Sequence, residues 1–167
     1  MNGIAARALA LLFPLLLGEA WAATLEGYVI GVSTGSAITV LNAKHQQLRV
    51  RIAGIDAPER GQPFFKQSED NLNKLVRRKL VVVEWHKKDP YGRLVGMVFV
   101  KGHDVGLEQV GAGLAWWYRE TAREQPLDER EVYDAAEQTA RKKKLGLWRD
   151  AQPVPPWEWR VARHQAR

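Results

Sequence analysis

The chain contains no cysteine. Disulfides, thiolate metal sites and a cysteine nucleophile are thereby excluded, and stability must come from packing alone. Its four histidines, His45, His86, His103 and His164, stand apart from one another without ligand spacing, which argues against a zinc centre. Serines are few, and none sits in a nucleophile-elbow motif. No glycine-rich phosphate loop and no internal repeat occurs. The longest apolar run, ALALLFPLLLG (8–18), is too short to cross a bilayer comfortably.

That run does fit an export signal. Arg7 supplies the positive start, and Ala20-Trp21-Ala22 places small residues at both cleavage-determining positions. Residues 1–22 are read as a signal peptide, with an uncleaved N-terminal anchor as the alternative. The exported chain, residues 23–167, is expected in the periplasm or secreted, with no membrane attachment after cleavage. Its length suits one domain with a single core. Net charge is +6, and removing Arg7 and Glu19 together leaves it unchanged. A basic exported domain favours anionic partners: nucleic acid, an anionic envelope surface or acidic polymers.

From Ala23 to Ile55 the pattern is strand throughout. TLEGYVIGV, AITVLNA and QQLRVRIAGI are rich in β-branched residues and are separated by STGS and NAKHQQ, which carry turn chemistry. Pro63 suits the first turn of a helix whose apolar stripe is Phe65, Leu72, Leu75 and Val76. LVVVEWH (80–86) and LVGMVFV (94–100) are two further strands joined across KKDPYGR, and DVGLEQVGAG forms a short helix closed by a glycine. A last helix is expected over Leu127–Leu145, acidic at its start and basic over Arg141–Lys144, as the helix dipole favours. The segment 150–167 is a Pro/Trp-rich basic tail, in which Trp157 and Trp159 either fasten it to residues 23–149, the preferred reading, or present aromatic surface for bases. Five strands with a helix between the third and fourth describe a five-stranded OB-type Greek-key barrel with about three packed α-helices, an α+β fold that is mainly β.

Two stretches carry chemistry. In RIAGIDAPERG (51–61) an apolar strand begins with Arg51 and leaves the sheet at Asp56, because Ala57 precedes Pro58 and is forced extended. Arg51 and Asp56 have opposite strand parity, so a bend or bulge near Gly54 is needed to bring both to one place. In KKDPYGRLVG, Asp89-Pro90-Tyr91-Gly92 reads as a type I turn, which leaves Arg93 unexplained at the head of an apolar strand. Two arginines for phosphate oxygens, a carboxylate able to act as base and a second able to hold a hard cation form a set suited to phosphodiester hydrolysis.

RIAGIDAPE, DPYGR and the order of strands and helices resemble the staphylococcal nuclease (thermonuclease) family of calcium-dependent nucleases, over about Thr24 to Trp148. The resemblance implies that Arg51 and Arg93 are catalytic arginines on the phosphate and that Glu59 is the general base. Asp56 would be a calcium ligand with the backbone carbonyl of Ala57 beside it. Tyr91 and Lys88 would contact substrate. Single-stranded DNA or RNA is the expected partner of a monomeric chain. The departure is Ser36: the family shows Asp-Gly-Asp-Thr where this chain has Thr34-Gly35-Ser36-Ala37, so a hydroxyl stands in for a carboxylate ligand and a weak Ca2+ site, or another divalent ion, is expected. Nuclease activity is therefore set against a nucleic-acid or polyanion binding module that has lost hydrolysis, and against an envelope protein that meets a protein partner through its tail.

Overall fold

The computed structural model describes residues 23–165; the expected signal segment lies outside them. Alternation builds the barrel. Strand β1 (Ala23–Thr34) buries Leu25, Gly27 and Val29 and exposes the residues between them, so one face is committed to the core. It pairs antiparallel with β2 (Ala37–Asn42) across the Gly35-Ser36 turn, and β2 pairs antiparallel with β3 (Gln47–Ile52). On its other side β1 meets β5 (Leu80–Lys88), which pairs with β6 (Leu94–Val100). The ring closes where β3 and β6 run parallel, Val50 opposite Leu94 and Ile52 opposite Gly96. Closure in the order β1-β2-β3-β6-β5 leaves these five strands without a long free edge. This is the expected OB-type barrel. The short β7 (His103–Asp104) folds back and pairs antiparallel with the end of β6.

Val29, Val40, Val50, Ile52, Val83 and Val98 fill the barrel, and helix α1 (Phe65–Val76) lays Leu72 and Val76 against them. Two details of α1 differ from the sequence expectation. The helix begins two residues beyond Pro63, because Glu59 to Gln62 forms its own turn (Gln62 N–H to Glu59 carbonyl, 2.8 Å) and Phe64 takes a left-handed φ of 65°. Phe65 lies only partly buried, under the guanidinium of Arg60, and Ser68 takes the core-facing place. Helix α2 (Val105–Gly111) is capped by Asp104, whose carboxylate accepts the Gly106 and Leu107 N–H groups.

Three elements were not legible. QQLRVRIAGI is two strands rather than one: β3 ends at Ile52, the chain turns through Ala53-Gly54, and β4 (Ile55–Asp56) pairs in a separate sheet with β8 (Trp116–Trp117). Helix α3 (Leu127–Lys142) stops before Leu145, since Lys144 turns left-handed at φ 53° and Leu147 N–H reaches the Gly113 carbonyl at 2.8 Å. The tail, to which the sequence assigned no element, holds helix α4 over Pro156–Gln165, begun by a proline at its first position. Trp157 packs edge-on to Trp116 (6.4 Å) and against Tyr118 (5.3 Å), beside a second cluster of Trp116, Ala140, Leu147 and Trp148.

Candidate active site

The bend at Gly54 assembles the site. On β3 the residues Arg49 and Arg51 share a face, being two apart. Gly54 then adopts φ +71°, and the β4–β8 pairing holds Asp56 opposite Trp116. Asp56 is thus returned to the side of Arg51 despite its opposite parity, with 3.8 Å from Arg51 Nη2 to Asp56 Oδ1. Ser36 comes from the β1–β2 turn. That turn is seated on the helices: Gln109 Nε2 donates to the Gly35 carbonyl at 2.7 Å, and a Cβ on Gly35 would overlap Ser68 Oγ. Glu59 follows Pro58, its backbone N–H donating to Gln62 Oε1 at 2.9 Å.

Arg93 arrives from the β5–β6 hairpin, and Asp89 organises that turn. Gly92 N–H reaches the Asp89 carbonyl at 2.9 Å, as the expected type I turn requires. The Asp89 carboxylate accepts the Tyr91 and Arg93 backbone N–H groups and, at 2.6 Å, Arg93 Nε. Desolvation pushes the Asp89 carboxyl upward, but the hydrogen bonds from Arg93 and Tyr91 outweigh it and hold it below the ordinary carboxylate range.

These side chains line one cleft of about 550 Å³: Ser36, Arg49, Arg51, Asp56, Ala57, Glu59, Tyr91 and Arg93 all contribute, and so does Arg160. Lys88 lines a neighbouring depression of about 400 Å³ that shares Arg51, Tyr91 and Arg93 with the cleft. Two contributors escaped the sequence reading. Arg49 donates to the Tyr91 carbonyl at 2.7 Å and ties the hairpin to β3; its signal was the alternation in Arg49-Val50-Arg51. Arg160, from α4, donates to Asp56 Oδ2 and Glu59 Oε1, each at 2.7 Å. No linear pattern joins a tail arginine to carboxylates more than a hundred residues earlier.

The arrangement leaves guanidinium donors for an anion. Among the described residues Arg51 makes no side-chain hydrogen bond, its distance to Asp56 being a weak ion pair, and only Nε of Arg93 is engaged. Calcium needs six or more oxygens with carboxylate charge among them. The cleft offers the hydroxyl of Ser36, the Ala57 carbonyl and the carboxylates of Asp56 and Glu59, and Arg160 already holds both carboxylates. No group of three or more potential metal-binding His, Asp or Glu residues occurs among the described residues. The residues as they stand do not fit a divalent-ion cage.

A closed five-stranded barrel with helices packed on it and an arginine-lined cleft at the exit of β3 defines an OB-type scaffold built to receive an anion. Residues 49–150 match the family described as Staphylococcal nuclease homologue, and the chain belongs to that family. It is 37% identical over 139 residues to an uncharacterized endonuclease of Escherichia coli O157:H7, covering 83% of this chain and 86% of that one. Protein ParB of Escherichia coli is 38% identical over 165 residues (93% and 89%). The micrococcal nuclease of Shigella flexneri is 37% identical over 156 residues (88% and 86%).

Proposed function

We propose that the protein is an endonuclease that hydrolyses phosphodiester bonds of single-stranded DNA or RNA in this cleft. The observation that carries the reading is the set of N–H donors on Arg51 and on the Arg93 Nη groups that, among the described residues, make no hydrogen bond, on the wall that also holds Glu59. A backbone phosphate entering the cleft meets both forks, which oppose the charge that builds on its non-bridging oxygens as a nucleophile adds. Glu59 uses Oε1 for Arg160 and, among the described residues, leaves Oε2 without a hydrogen bond, so Oε2 is the atom that takes the proton from an attacking water. Tyr91, 72% exposed at the rim, and Lys88 in the adjoining depression extend the surface along the nucleic-acid chain. The export-like segment at residues 1–22 supports action outside the cytoplasm.

Two observations favour a second reading, a binding module without hydrolysis: the proposed base is ion-paired, and Ser36 stands where the family resemblance implies a carboxylate. A single assay separates the two. The purified protein is incubated with single-stranded DNA in calcium, in magnesium and in chelator, beside Glu59→Gln. Cleavage by the parent that falls about 10²- to 10⁴-fold in the variant is expected of a general base. Equal rates would remove Glu59 from that role. Salt-sensitive binding with no cleavage would establish the second reading.

A further inference from the structure

We propose that Arg160 is the resident cation of this cleft: helix α4 holds a guanidinium across Asp56 and Glu59, and a divalent ion gains those carboxylates only by displacing it. The inference deepens the proposed function and rests on it only for its consequences in cleavage.

Both contacts measure 2.7 Å, the length of charge-assisted hydrogen bonds, and they come from two nitrogens of one fork. Asp56 is almost wholly buried and needs a counter-charge; Arg51 at 3.8 Å is too far to hydrogen-bond it, so Arg160 is its principal partner. Burial opposes the charge on Arg160, but hydrogen bonding and attraction to Asp56, then to Glu59, outweigh it and raise its pKa further.

The seat of α4 is built for this placement. Residues 157, 160 and 163 share one helical face. Trp157 packs on Trp116 and Tyr118, Arg160 takes the two acids, and Arg163 donates to the Arg60 carbonyl at 3.0 Å. Just before the helix, the Val154 carbonyl accepts from Gln62 Nε2 at 2.6 Å, and Gln62 is the residue whose Oε1 also holds the Glu59 backbone. Trp116, on which Trp157 rests, is the register partner of Asp56. Helix and carboxylates are thus fastened to the same short sheet.

The cleft's charge agrees. Four arginines, 49, 51, 93 and 160, face two carboxylates, so the cavity is positive before any ion enters. Ser36 fits the same scheme. A third carboxylate there would favour an inorganic cation; a hydroxyl leaves a negative pair that one guanidinium fork spans.

Calcium binding is measured by calorimetry without substrate on the full exported chain, for Ser36→Asp and for Ser36→Asp/Arg160→Gln. The restored carboxylate makes binding measurable in both. The double variant is expected to bind calcium about tenfold or more tightly than the single one, because no guanidinium has to be expelled. Equal affinities would overturn the proposal. Should the glutamine variant unfold by circular dichroism, Arg160→Lys in the same background takes its place; one ammonium cannot fork across both acids, and tighter calcium binding than in Ser36→Asp is again expected, no change again overturning it. In cleavage, chelator should leave the parent unaffected and should reduce Arg160→Gln. Faster cleavage by Arg160→Gln in chelator would make Arg160 a mere plug and overturn its role. A parent that never cleaves refutes the nuclease reading, while the calorimetry still decides this one.

Discussion

Gly54→Ala tests the bend on which the site depends. The residue holds φ +71°, a conformation that costs an L-residue about 1–2 kcal/mol. A Cβ there would also lie 2.7 Å from Gln125 Nε2 and 3.0 Å from its Cδ, so the amide must move. Gln125 is buried, and its Oε1 accepts the Trp117 indole N–H at 2.9 Å. Moving it strands a buried donor, at about 1–3 kcal/mol. The expected loss is therefore about 2–5 kcal/mol, which in a domain of this size lowers Tm by roughly 4–20 °C. Thermal unfolding followed by circular dichroism reads this directly. Adding Gln125→Ala should relieve the clash but not the backbone cost, so the double variant should melt no higher than the parent. A Gly54→Ala protein melting within about 2 °C of the parent would refute the account of the bend.

Arg51→Lys should lower kcat by about 10²-fold while the far-UV spectrum and Tm stay near those of the parent, because the change removes a bidentate fork but no protein hydrogen bond; an unchanged rate would remove Arg51 from the chemistry. Asp104 carries a pH signature. Burial raises its carboxyl, against the hydrogen bonds from Tyr133 and the first N–H groups of α2, while Glu108 on its own helix and Glu129 on α3 are the nearby acids. Its folded pKa thus lies above the unfolded value, so its contribution is complete at pH below the ordinary carboxylate value and is lost as pH rises through the raised one. The Tm of Asp104→Asn relative to the parent should climb across that window, and a difference independent of pH would contradict the burial argument.

What the sequence showed and what it hid divide along a physical line. The five barrel strands were legible because each has one buried face, and alternation of Val, Ile and Leu reports that face directly. Gly113 marked the end of α2 for the same kind of local reason, a left-handed turn. The β4–β8 sheet was not legible, since two residues on each strand carry no periodicity. In α4 the helix is set largely by where Trp157 finds Trp116, a contact that local propensity does not encode.

The site shows the same split. Arg51, Asp56 and Glu59 lie within one motif, so only the direction of the bend was open. Arg160 depends on a docking event across the whole fold, and in the linear chain it is one of several basic residues in a tail. The two oddities of the sequence nevertheless explain each other once they are in space. A serine at 36 leaves Asp56 and Glu59 one carboxylate short for a hard cation, and an arginine at 160 covers the pair that remains. If that is one change rather than two, placing Asp at 36 alone should destabilise the folded protein, because the new carboxylate must give up its hydration in a buried turn of a cleft that already holds two carboxylates. Replacing Arg160 as well should worsen that loss in chelator and reverse it in calcium. Melting curves of the parent, both single variants and the double variant, each with and without calcium, form the cycle that decides it. Additive effects of the two substitutions in both conditions would show that Ser36 and Arg160 are independent.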